Sequence, residues 1–389
     1  MGKGNIAGNN EGALASMDDW IEGAWGTRQR GLWTILEKTK CTVKEGVMKR
    51  YTCLSLICFI VVLIVFAASL PGEAQEKVIK LRYANFLPAV HKVSTLSEQW
   101  CKEVEKRTNN RIEFSYLPGG TLVPAPQGYE AAVRGIADIS AAAPSWTAGR
   151  FPLWELMELP LGYNNPAQAT ALANAFFKKF KPKEFDEVKV HYIWTNGPGV
   201  FMTVKPASSI DGLKGLKIRA GGAQMSKIVV AMGATPVSVP NADIYEGLQR
   251  GVIDGILFYP EGLKGWKYGD LIRGLQDNPG IGNGGTIMFV MNEQKWASLP
   301  SDIQKIIDQI NEEWTEKMGK LALELDNEGR EYGVSKGMKI FKISPEEARI
   351  SAERVKPLLD AFVKDAKGKG LPGEEALKYC QGWLKAHPK

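Results

Sequence analysis

The longest apolar stretch comes early. Residues 54–70, "LSLICFIVVLIVFAASL", form an unbroken run. From Val78 onward, apolar and polar positions alternate or recur at helical spacing. "VIKLRYANFL" (78–87) reads as a strand, 94–108 as an amphipathic helix with Leu96, Trp100 and Val104 on one face, and 111–120 as a strand that ends at glycines. A helix over 125–135, a strand over 136–143, helical segments at "FPLWELMELP" and 166–180, and a strand over 188–197 follow. This β-α-β-α-β order predicts a mostly parallel sheet covered by helices.

The pattern then restarts. "GVFMTVK" and "LKIRA" read as strands, and "AQMSKIVVAMG" as a helix closed by Gly233. "TPVSVP" is a strand, "NADIYEGLQRG" a helix with Asn241 as its N-cap, and "IDGILFY" a strand. A second αβ unit therefore spans about 200–285. "TIMFVMN" (286–292) is one more apolar strand, returning to the first unit. A long helix runs from Ser301 towards Gly337, with Ser301 and Gln304 as an expected capping box, and Ser344, Pro345 and Glu347 start the next. The last helix, 373–385, carries Cys380.

The early apolar run has "KRYTC" before it and "PGEAQ" after it. Basic flank, apolar centre and small residues at Gly72 and Ala74 are the parts of a secretory signal cleaved after Ala74. A retained anchor is the alternative, and the run sits at the short end of the spanning range. Met48 stands directly before the basic flank, so residues 1–47 read as an upstream extension from a misplaced start. Cys41, Cys53 and Cys58 leave with these segments, while Cys101 and Cys380 remain. In an oxidising compartment that pair is expected to form one disulfide joining the C-terminus to the first helix.

Charge narrows the function classes. Charged residues make up 24% of the chain with a net +6, interleaved and without a Lys/Arg block among aromatics, which argues against a nucleic-acid partner. Three scattered histidines, no G-x-S-x-G and no paired His/Cys argue against a metal site or an enzyme. "GIGNGG" (280–285) fits a dinucleotide fingerprint on paper, but "QDNP" precedes it and a strand follows, so it reads as a loop.

Arg219 ends the strand "LKIRA", and Ala220, Gly221 and Gly222 follow it. An arginine fork suits a carboxylate, and the small residues let a ligand approach. A structural ion pair explains it equally well at this point. Trp146, Trp154 and Trp194 also lie at or just beyond strand C-terminal ends, where open α/β sheets bind ligands.

Six ordered segments carry a resemblance: "EVEKRTNNRIEFSYLPGGTL", "YEAAVRGIADIS", "GRFPLWELMELP", "LKGLKIRA", "MGATPVSVP" and "IYEGLQRGVIDG". Over residues 78 to about 365 the chain resembles the DctP-type extracytoplasmic solute-binding subunits of TRAP transporters. The resemblance implies a two-domain α/β fold of the periplasmic-binding-protein (Venus-flytrap) kind, with one long helix spanning both domains. Domain I would comprise 75–198 and 286–320, and domain II 199–285 and 321–389 with the C-terminal helices. It implies a periplasmic, non-catalytic binder of small organic acids without a cofactor, partnered by a TRAP membrane permease. It also implies that Arg219, in "GLKIR", grips the ligand carboxylate. The second arginine of sialic-acid-type members is absent from "WTNGPGVF". Leu257, Phe258 and Tyr259 stand where many members carry Glu or Asn. The expected ligand is thus a monocarboxylate with an apolar or aromatic body, met by Arg219, Phe86, Trp146, Trp194, Phe201, Phe258 and Tyr259. Asn85, Thr195, Asn196 and Gln224 are the polar candidates. The alternatives are a C4-dicarboxylate or keto acid, or a periplasmic sensing module.

Overall fold

The computed structural model describes residues 56, 58–61, 77–147 and 149–388. The expected extension (1–47) and most of the expected signal (48–74) lie outside them, and among the described residues no helix is long and apolar enough to cross a membrane. The chain divides into Met1–Gln75 and Glu76–Lys389, and the second unit is described below.

In chain order the elements are β1 (Ile79–Ala84), α1 (Lys92–Arg107), β2 (Ile112–Leu117), α2 (Gly128–Val133), β3 (Ile139–Ala142), α3 (Pro166–Phe180), β4 (Val188–Asn196) and β5 (Val200–Thr203). Then come β6 (Lys217–Arg219), α4 (Ala223–Ala231), β7 (Thr235–Val237), α5 (Ile244–Gln249), β8 (Gly255–Phe258), α6 (Gly262–Gly265), β9 (Gly274–Asp277) and β10 (Gly285–Asn292). The chain closes with α7 (Glu293–Ala297), α8 (Ser301–Ser335), β11 (Lys339–Lys342), α9 (Pro345–Gly368) and α10 (Gly373–Ala386).

Two sheets result, one per lobe. The first has the order β2-β1-β3-β10-β4, with β1 parallel to β2 and β3, and β10 antiparallel to β3 and β4. The second has the order β11-β9-β5-β8-β6-β7, with β6 parallel to β7 and β8. "TIMFVMN" does return to the first sheet, as its apolar pattern predicts. Its side chains alternate between two cores: Ile287, Phe289 and Met291 face one, Met288 and Val290 the other.

That alternation overturns the expected disulfide. Cys101 on α1 packs into the Phe289 core, and Cys380 on α10 into the Met288 core. The sheet lies between two thiols whose Cα atoms would have to stand within about 7 Å. Both are free and buried, and burial raises both thiol pKa values.

Two helices tie the lobes together. α8 has 35 residues, about 52 Å at 1.5 Å per residue. Its first half buries Ile303, Ile307 and Trp314 against the first sheet. Further along, Gly329 runs so close to the Pro260 carbonyl that a Cβ would lie 1.9 Å from it. α9 puts Val355 into the second lobe's core and Phe362 into the first's. α10 departs from the expected assignment of 321–389 to domain II. Ala376 and Cys380 join the core of Phe176, and Tyr379 packs on Phe180 at 5.5 Å, because the apolar face of α10 meets α3. The Ser344–Glu347 capping box is present. The one expected at Ser301 is not, because Gln304 donates instead to the Trp296 carbonyl.

Candidate functional site

β6 is only three residues long and ends on Arg219, inside the second sheet and beside β7 and β8. The side chain is 4% exposed. Nε donates to the Val239 carbonyl at 3.0 Å and Nη2 to Asn241 Oδ1 at 2.5 Å. The guanidinium lies 5.6 Å from the Phe258 ring centre. Among the described residues Nη1 has no hydrogen-bond partner and no carboxylate lies within ion-pairing distance, so no structural ion pair forms there. Burial pulls the pKa below its ordinary value, with Tyr268 and Tyr259 opposing. An arginine remains charged even so. The bare backbone after β6 has a steric reason: a Cβ on Gly221 would lie 2.9 Å from Nη1.

This guanidinium lines a cavity of about 80 Å³ between the lobes. One water needs roughly 10–15 Å³ on this scale, so a small organic molecule fits. The second lobe contributes Arg219, Gly221, Gly222, Met225, Asn241, Phe258 and Tyr259. The first contributes Ala143, Ser145, Trp146, Glu158, Asn196 and residues 284–287. Gly222 is also the N-cap of α4, so the positive end of that helix faces the same space. The lobes touch beside the cavity. Gln224 Nε2 donates to Glu155 Oε2 at 2.9 Å, and His91 Nε2 stands 3.5 Å from Glu261 Oε2, both side chains buried. Val93 N–H donates to His91 Nδ1, so Nε2 carries the proton offered to Glu261.

Of the expected site residues, Arg219, Trp146, Asn196, Phe258 and Tyr259 converge on the cavity. Phe86 stands behind it, edge-on to Trp146 at 4.9 Å. Six others are corrected. Trp194 is core, on the Tyr192 side of β4, with its indole N–H unpartnered. Phe201 pairs with Leu257 across β5 and β8, and both face a core away from the cavity. Gln224 reaches the Glu155 carboxylate rather than the ligand space. Asn85 is held by the Tyr116 hydroxyl and the Leu87 N–H. Thr195 is fully buried off the cavity, as is Trp154, whose N–H donates to Thr286. "GIGNGG" leaves a 3-10 turn (Pro279–Ile281) and runs directly into β10, with no helix to follow it as a dinucleotide site requires.

Of the cavity residues that were not expected, Asn241 and Glu158 bear most on recognition. Asn241, read as a helix cap, turns its side chain to Arg219. Glu158 sits in "WELMELP", where Leu156, Met157 and Leu159 are all buried. An acid set between Met157 and Leu159, three residues after Glu155, was the available signal. Burial raises its pKa to about 8; Ser145 pulls it down and Glu155 adds to the rise.

Residues 84–365 match the family model described as bacterial extracellular solute-binding protein, family 7. A TRAP periplasmic solute-binding protein from Desulfovibrio salexigens, solved with the C-terminus of a symmetry mate in its ligand site, is 32% identical. The alignment covers 79% of this chain and 96% of that one, with a TM-score of 0.72. A TRAP solute-binding protein from Rhodoferax ferrireducens in complex with benzoate is 28% identical, covering 80% and 99%, with a TM-score of 0.74. One from Bordetella bronchiseptica with bound mandelate is 27% identical, covering 79% and 99%, with a TM-score of 0.73.

Proposed function

This chain belongs to the bacterial extracellular solute-binding proteins of family 7, the solute-binding class of TRAP transporters, and from that premise we propose that it captures an aromatic monocarboxylate and hands it to a membrane permease. The family and its solved members are transport proteins and not enzymes.

One observation carries the ligand reading. A buried guanidinium, with no carboxylate partner among the described residues, offers its Nη1 edge to a cavity walled by Phe258, Tyr259 and Trp146. A buried cation without a counter-charge is expensive, so an anion that enters is held strongly. The planar fork matches one carboxylate bidentately. The rings around it favour an apolar body and give a second carboxylate no cationic partner. The benzoate and mandelate found in relatives agree with this class.

Calorimetry on the full chain with benzoate, (R)-mandelate and succinate tests the reading. Benzoate and mandelate are expected to saturate the site, and succinate is expected to give no heat of binding. Saturation by succinate with no response to either aromatic acid overturns it.

A further inference from the structure

Arg219 meets one end of a ligand. The other ionisable group of the first lobe that lines this cavity is Glu158, at the end of the short 3-10 turn Trp154–Glu158. It is 9% exposed. Its Oε1 is buried with no hydrogen-bond partner, and among the described residues no ion pair reaches it. Arg219 does not neutralise it, although both line one cavity from opposite lobes. Buried polar atoms in native proteins nearly always have a partner. An unpartnered one on a residue that lines a ligand cavity is a recognition group waiting for its complement.

We infer that Glu158 determines specificity by hydrogen-bonding a hydroxyl on the ligand body, remote from the carboxylate that Arg219 holds, so that the ligand class is a hydroxylated aromatic acid. This rests on the aromatic monocarboxylate reading and adds a second polar contact to it. The chemistry of the group agrees. Burial holds the carboxyl protonated near neutral pH, with a pKa of about 8. The groups around it do not supply a cation: Glu155 comes from its own turn, Tyr163 from the following loop, Tyr259 from the second lobe, and the Ser145 and Thr286 hydroxyls from the first. A neutral carboxyl both donates and accepts, which suits a hydroxyl, and it does not repel an incoming anion. Hydrogen-bonding sites of this kind discriminate strongly between ligands that have the hydroxyl and ligands that lack it.

The test pairs benzoate with 3-hydroxybenzoate and uses calorimetry on the full chain, wild type, Glu158→Leu and Glu158→Gln. In wild type at pH 7, 3-hydroxybenzoate is expected to bind about tenfold tighter, the scale of one hydrogen bond of ~1.4 kcal/mol. Glu158→Leu is expected to bring that ratio to about one, whatever it does to the affinity for benzoate itself. The pH profile separates recognition from a packing role. As pH rises through about 8, Glu158 ionises beside a bound anion, so wild-type affinity falls. In Glu158→Gln the profile between pH 6 and 9 is expected to be flat. If the leucine variant does not fold, the glutamine profile decides alone. A hydroxyl ratio unchanged in Glu158→Leu, or a fall above pH 8 that persists in Glu158→Gln, overturns the inference and leaves the aromatic reading standing. Wild type binding neither acid overturns both.

Discussion

Arg219→Ala is expected to lower affinity for benzoate by at least about 30-fold, since leaving a buried charge without its partner costs about 2 kcal/mol or more. Arg219→Lys is expected to recover little of it. An ammonium places one point charge where the fork places two parallel donors, and it cannot hold Val239 and Asn241 while meeting the ligand. Stability distinguishes this account from a structural arginine. Arg219 is buried with no anion paired to it among the described residues, so its loss removes an uncompensated charge and leaves the ligand-free melting temperature unchanged or higher. A structural ion pair would predict a fall. Calorimetry and thermal melts on the same preparations read both quantities. Benzoate affinity retained in both variants would remove Arg219 from the site.

Gly285→Ala carries the second large expected effect. Gly285 opens β10 in the first lobe, and the Tyr259 ring from the second lobe lies against it. A Cβ there would stand 2.1 Å from Tyr259 Oη and 2.6 Å from Cζ. Tyr259 is itself buried, so the ring has little room to withdraw. Overpacking of this kind costs about 1–3 kcal/mol. The contact exists only while the lobes are together, so the cost falls on the closed form and is relieved by opening. Ligand affinity is expected to drop about 5- to 150-fold, the same energies expressed as ratios. The ligand-free melting temperature is expected to move far less. A large loss of stability with affinity retained would mean that Tyr259 and Gly285 stay packed whether the lobes are open or closed.

Much of the architecture is written in the periodicity. The two αβ units, the return of 286–292 to the first sheet and the long helix all follow from apolar spacing, because each element buries one face and repeats with its own period. The site is legible where a strand end coincides with a residue of special chemistry, as at Arg219. Parity and depth are harder to read. Trp194 and Asn196 share a face of β4, yet only Asn196, about 6.6 Å further along the strand, clears the core and reaches the cavity. Phe201 is aromatic and close in sequence to the crossing, but it is paired with Leu257 and turned the other way. The disulfide failed for the same reason: compartment chemistry says nothing about which side of a sheet a cysteine occupies. Asn241 and Glu158 escaped because each has an ordinary local use, a helix cap and a surface acid, that only the tertiary arrangement overrides.

The most direct measurement is a crystal structure of this chain grown with benzoate. The account predicts the carboxylate oxygens on Arg219, with Nη1 as a donor, and the ring enclosed by Phe258, Tyr259 and Trp146. A carboxylate bound elsewhere in the cavity, with Nη1 of Arg219 still free, would contradict it.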